Sequence, residues 1–133
     1  MSKLQCDIVT PEHKFYSDTV EFVVFPASEG EMGVYEKHEP VVTNLKAGTV
    51  RVTVEGEPEQ KRFVIAGGYA QIDGEKVVIL ASRAESYDNI DRDALEKELE
   101  ALRFQLEDMD SEAANYAFLN SEIEWKELLL KQK

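Results

Sequence analysis

The spacing of apolar residues changes character near Ser82, and a chain that obeys two periods must fold as two kinds of structure in series. Before that point the runs are short and alternating. In TVEFVVF (19–25) the alternation puts Val20, Phe22 and Val24 on one face; in TVRVTVEG (49–56) Val50, Val52 and Val54 alternate with Arg51, Thr53 and Glu55. A period of two throws successive side chains to opposite faces of an extended chain, so these segments are half-buried strands. LQCDIV, KRFVIAGG, YAQID and KVVILAS continue the series, separated by Pro11, Gly48, Gly56-Glu57-Pro58, Gly67-Gly68 and the hairpin signal Asp73-Gly74. Short strands with turns at such spacing predict a β-sandwich or flattened barrel.

Behind Ser82 the period becomes helical. Asp91 is a good N-cap, and Leu95, Leu99, Leu102 and Leu106 follow at helical spacing with glutamates opposite them. A second helix is expected from about Ser111 with Asp110 as its cap. Its stripe Ala114, Phe118, Ser121, Trp125 and Leu128 is expected to face the first helix. A further row, Tyr116, Leu119, Ile123 and Leu130, lies on another face and needs either the β domain or another partner. The linking EDMDS (107–111) holds neither glycine nor proline, so the antiparallel hairpin can straighten at modest local cost. The boundaries expected are 1–86 for the sandwich and 87–133 for the hairpin, an α+β chain in segregated halves.

Composition narrows the function. Acids outnumber bases 27 to 15, a formal charge of -12, in which the phosphate-neutralising surface that nucleic-acid binding demands is not evident, so no nucleic-acid partner is expected. Residues 88–133 hold 13 acids and 6 bases and are the more densely negative part. MSKLQCDIVTPE lacks a signal-peptide core, and no run nears the roughly 20 apolar residues that span a bilayer, so a cytosolic chain is expected, free to sit on a membrane complex. The single cysteine, Cys6, lies in an expected strand and reads as a buried, inert thiol.

Chemistry is hard to assemble. The chain has no phosphate-binding GxxxxGK[ST] loop, no HExxH and no GxSxG elbow. Gly67-Gly68 leads into another strand, so a tight turn or close backbone contact is expected there. His13, His38 and Cys6 fall in separate segments, and no metal is expected. PASEGEMGVYEKHEP (26–40) gathers four glutamates and a histidine in a turn-rich interval, where solvated charge is the default. Two readings stay open on the residues alone: a free-standing sandwich that binds a carbohydrate or peptide and dimerises through its helices, and a small enzyme using His38 with a nearby glutamate.

The order of several short motifs supplies a third reading. Thr10-Pro11-Glu12, Gly30-x-x-Gly33 followed by His38 and Pro40, Leu45-x-x-Gly48, Gly67-Gly68-Tyr69, Ala84-Glu85 and Ile90-Asp91 run in a sequence that resembles the epsilon subunit of the bacterial F-type rotary ATP synthase, over the whole chain. The resemblance implies a ten-stranded sandwich, a helical hairpin and a non-catalytic rotor role in the central stalk. It places the chain at the cytoplasmic face of the plasma membrane as a peripheral protein, touching the membrane only through the complex. Its partners would be the gamma subunit, the c-ring and, transiently, the alpha/beta catalytic head. It implies ring contact by Ser28, Glu29, Gly30, Glu31 and Met32, gamma contact near Tyr35 and His38, and regulatory helix contacts through Phe118, Ile123 and Trp125. Tyr35-Glu36 departs from the aliphatic residue and proline that members commonly carry. The regulatory ATP of some members would involve Ile90 and Asp91, with Arg92 as a substitute cation, but Ala94 stands where their arginine is expected. No cofactor is therefore expected, and the acidic tail implies a weak brake on ATP hydrolysis.

Overall fold

A computed structural model describes residues 3–133, which divide into two compact units, one ending at Asp88 and the other running from Asn89 to Lys133. The first is all β: β1 (Leu4–Val9), β2 (Lys14–Val20), β3 (Phe22–Ala27), β4 (Gly30–Val34), β5 (His38–Leu45), β6 (Gly48–Thr53), β7 (Lys61–Ile65), β8 (Gly68–Gly74), β9 (Lys76–Ala81) and β10 (Ala84–Ser86), then a 3-10 turn over Tyr87–Asn89. The strands run β10-β7-β6-β3-β5-β8-β9-β1-β2, with β4 hydrogen-bonded to β3 off this path. All described pairs are antiparallel except β1 with β9. The sheet wraps on itself around one apolar core to which every strand from β1 to β9 contributes, including Leu4, Ile8, Val23, Phe25, Val50, Val52, Ile65, Ile72 and Ile79.

Alternation read correctly for β6, where Val50 and Val52 are fully buried, and for the β8–β9 hairpin, where Gly74 takes φ 57°. It misread Thr19–Phe25. The chain bends at Glu21, whose N–H donates to the Thr53 carbonyl at 2.8 Å, and the bend shifts the phase by one residue. Val23 and Phe25 therefore point inward while Phe22 turns out to be only half-buried. Residues 26–40 are likewise more ordered than a turn-rich interval, since they contain β4 and the start of β5.

Cys6 is fully buried, and desolvation, aided by the nearby Asp7 and Asp18 charges, pushes its thiol up to about 12. That thiol stays protonated and unreactive at neutral pH. Asp7 is the unusual neighbour: its side chain is only 6% exposed, on the middle strand of β9-β1-β2. Burial alone would raise its pKa. Hydrogen bonds from Ser17 Oγ (2.7 Å) and Gln5 Nε2 (2.9 Å), with Lys14 and Lys76 at 3.6 and 3.7 Å, outweigh that cost and hold the carboxyl below its ordinary range. A depressed carboxylate pKa stabilises the fold above the unfolded value and loses that contribution as pH falls through the folded one. Asp7→Asn should therefore cost about 1–2 kcal/mol at neutral pH, and the gap to wild type should close as pH falls below about 4, measured by urea unfolding across pH.

The second unit is an antiparallel pair, α1 (Arg92–Glu107) and α2 (Tyr116–Gln132). Asp91 caps α1 through its side chain, which accepts from Ala94 N–H at 3.2 Å, and Leu95 and Leu99 are buried while Leu102 and Leu106 are half-buried. The start of α2 differs from expectation. Asp110 accepts from Glu112 N–H through its side chain and from Ala113 N–H through its carbonyl, closing a local turn that competes with helix, so α2 begins only at Tyr116. Ala114 thus falls in the connection, Phe118 and Ser121 are exposed, and the residues α2 buries are Ile123, Trp125 and Leu129, taken from both expected rows and between them.

Candidate functional site

One corner of the sandwich gathers Gly30, Leu45, Gly48 and Gly67-Gly68 from the motifs, whereas His38 pairs with Gly74 at the other end of the β5–β8 ladder. Ala27 pairs with Gly30 across the two-residue β3–β4 turn, leaving Ser28 and Glu29 exposed at its tip. Gly30 takes φ 132°, a region that a side chain disfavours. The turn is tied down from both sides: Ser28 N–H donates to the Asn44 carbonyl (2.9 Å) and Lys46 N–H to the Pro26 carbonyl (2.8 Å). Leu45 pairs with both Ala27 and Gly68, and a Cβ on Gly48 would sit 3.1 Å from Pro26 Cγ. Leu45-x-x-Gly48 and Gly67-Gly68 therefore shape the base on which the Ser28–Glu29 tip stands. At Gly68 an added Cβ would lie 1.9 Å from the Leu80 carbonyl oxygen, so the double glycine is a close backbone contact, as its sequence context suggested.

Ser28 to Met32 do not form a uniform surface. Arg51 grips Glu31 through both guanidinium nitrogens (2.9 and 3.3 Å), and Met32 is half-buried against the core, which leaves Ser28, Glu29 and Gly30 as the outward tip. Sequence reasoning missed the Arg51 clamp because its partner lies twenty residues away. Gly33 is a strand residue rather than a turn residue: a Cβ there would meet Phe22 Cζ at 2.6 Å, and the same Phe22 ring stacks on exposed Tyr35 with centroids 4.2 Å apart.

The turn after β4 needs no proline. Lys37 adopts φ 63°, its N–H donates to the Gly74 carbonyl at 2.7 Å, and the Glu36 carboxylate accepts from Lys3 N–H at 3.1 Å. His38 opens β5, half-buried, with Nδ1–H donating to the Glu39 carbonyl at 2.8 Å. Beyond it, Val42 is 66% exposed and Tyr69, which lies on neighbouring β8, is 48% exposed. Tyr69 entered the sequence reading only as part of the Gly67-Gly68-Tyr69 motif and Val42 not at all; the Val41-Val42 doublet, which breaks alternation, was the available signal. His13 stacks on Phe15, apart from His38 in sequence and pairing, and no three His, Cys, Asp or Glu among the described residues gather in a metal-binding group.

At the open end of the hairpin Ile90 is buried, Asp91 is used by the α1 cap, and Arg92 is already engaged. Its guanidinium donates to the Leu130 carbonyl at 2.9 Å and lies 3.6 Å from Glu96, putting positive charge on the negative end of α2. Lys126 with Glu98 (3.2 Å) and Arg103 with Glu127 (3.5 Å) add further cross-helix pairs. Of the three regulatory-contact candidates on α2, Phe118 is 64% exposed whereas Ile123 and Trp125 are buried.

A filled β-sandwich whose candidate residues lie on turn tips and strand faces, followed by a helical hairpin, defines a docking module. Residues 3–87 match the family model described as ATP synthase, Delta/Epsilon chain, beta-sandwich domain. The ATP synthase epsilon chain of Carboxydothermus hydrogenoformans is 39% identical over 104 residues, covering 78% of this chain and 76% of that one. The epsilon chain of Chromobacterium violaceum is 33% identical over 132 residues, covering 96% and 94%. A chain in the cryo-EM structure of the Euglena gracilis mitochondrial ATP synthase, OSCP/F1/c-ring in rotational state 1, superposes with a TM-score of 0.67 at 25% identity, covering 98% of this chain and 77% of that one. The chain belongs to the ATP synthase epsilon-chain family. The free-standing ligand-binding module is correspondingly not favoured, and no described helix is long and apolar enough to cross a membrane.

Proposed function

We propose that this chain is a non-catalytic rotor subunit in the central stalk of an F-type ATP synthase, coupling c-ring rotation to ATP synthesis at the cytoplasmic face of a bacterial membrane. The observation that carries the reading is kinship with epsilon chains along nearly the full length, on a fold whose tied-down turn offers Ser28 and Glu29 outward. That tip meets the ring. Tyr35 and His38, with the exposed Val42 and Tyr69 beyond them, meet the gamma subunit. Arg92 is engaged by Leu130 and Glu96 and Ala94 supplies no guanidinium in its place, so the hairpin is not built to take ATP. In the extended state Phe118 is the readiest contact for the alpha/beta head, Ile123 and Trp125 becoming available only when the hairpin opens.

A tagged version recovered from solubilised membranes of its source should carry the other synthase subunits, and their absence would sink the rotor reading. The brake is tested separately, by deleting residues 88–133 in the assembled complex. The acidic hairpin makes a poor partner for acidic surfaces, so ATP hydrolysis should rise by less than about threefold, roughly 0.6 kcal/mol in activation free energy.

A further inference from the structure

Charge in the hairpin is sorted along its length. All six lysines and arginines of residues 88–133 lie in 92–103 or 126–133, whereas Phe104 to Trp125 hold six acids and no base. One of those acids, Asp108, lines an apolar concavity of about 520 Å³ where α1 ends and α2 begins, together with Phe104, Met109, Phe118 and Leu119 among others, and Glu107, Asp110 and Glu112 lie within a few residues of that lining in the chain. Phe104 is 70% exposed and Phe118 64%, an unusual degree for two phenylalanines on one groove.

We propose that this groove docks a cationic amphipathic helix of another protein chain, whose apolar stripe covers Phe104 and Phe118 while lysines or arginines along its edges meet Glu107, Asp108, Asp110 and Glu112. Charge selects this occupant. A second copy of the same tip would set acids against acids, and an anionic lipid surface or a nucleotide would be repelled for the same reason. An apolar helix without basic flanks would leave the acidic rim without counter-charge. The proposal does not depend on the rotor assignment, because it concerns groups within the hairpin alone.

The probe is a fluorescent leucine–lysine peptide patterned as an amphipathic helix, titrated into the full chain, with a leucine–glutamate peptide of the same pattern as control. Saturable one-to-one binding of the lysine peptide only is expected, with chemical-shift changes confined to the tip. Phe118→Ser and Phe104→Ser, each at an exposed position, should leave the far-UV circular dichroism unchanged and weaken binding by about tenfold or more. Asp108→Lys with Glu112→Lys should weaken it as well. Binding that spreads over the acidic surface and ignores both serine variants would overturn the proposal. So would concentration-dependent dimerisation abolished by Phe118→Ser, or sedimentation of the chain with phosphatidylglycerol vesicles through the same residue.

Discussion

Replacing Gly68 by alanine is expected to unfold much of the sandwich under conditions where the parent chain is stable. Gly68 combines two demands that alanine cannot meet. Its φ of 146° is strained for a residue with a side chain, at a cost of about 1–3 kcal/mol. The new methyl group would also sit 1.9 Å from the Leu80 carbonyl oxygen and 2.9 Å from its carbon, so the backbone rather than a movable side chain must give way. Gly68 pairs with Leu45 on one side and Ala81 on the other, and displacing it parts β8 from one neighbour. A total loss of roughly 4 kcal/mol or more is expected, against a typical whole-domain stability of about 5–15 kcal/mol. Buried Cys6 provides a reporter for this unit, since its thiol should label only when the sandwich opens. Gly67→Ala is the control: its Cβ would lie 3.5 Å from the Leu45 carbonyl oxygen, an ordinary contact, so strain acts without collision. Equal labelling of the two variants in the same urea series would show that the collision at Leu80 is not what decides.

Truncating Phe25 to alanine should produce the other large loss. The ring is fully buried at the centre of β3, among the largest side chains of the core, and its removal takes away contact on all sides while leaving a cavity too enclosed to refill. Such deletions cost about 3–5 kcal/mol. The same strand carries Pro26 and Ala27 into the Ser28–Glu29 tip, so a second readout is available. At temperatures where the variant remains folded, its tip should keep its hydrogen-exchange protection at Ser28 N–H, because the bond to Asn44 does not run through the ring. A folded variant with an unprotected Ser28 would mean that core packing, rather than the ties to β5, holds the tip.

Much of this architecture is legible in the residues because the physics there is local. The change of period near Ser82, the alternation of Val50 and Val52, the Asp91 cap and the close approach at Gly67-Gly68 each depend on a few neighbouring positions. The features that escaped depend on partners distant in sequence or on local competition. Glu21 bends the chain without glycine or proline because Thr53 accepts its N–H, and that single contact reverses which of Phe22 and Val23 is inside. Asp110 has the chemistry of a helix cap but spends it on a tighter turn. The candidate site divides in the same way: its tip is visible as Ser-Glu-Gly between strands, whereas the engagement of Glu31 by Arg51 and of Arg92 by Leu130 requires the fold. Phe118 sits at a spacing that was expected to face α1 yet lies in solvent, whereas Phe104 stands off the leucine stripe of α1 and is exposed.

The parallel pairing of β1 with β9 has a kinetic meaning. Gln5 finds Lys76 and Val9 finds Leu80, so the seam that completes the sandwich joins segments with seven strands of chain between them. Closing so long a loop is slow and must await the ordering of what lies between, while α1 and α2 meet across a short connection. The molecule thus carries two clocks. Its hairpin can open and re-form many times within the life of a sandwich that, once sewn along β1 and β9, seldom comes apart.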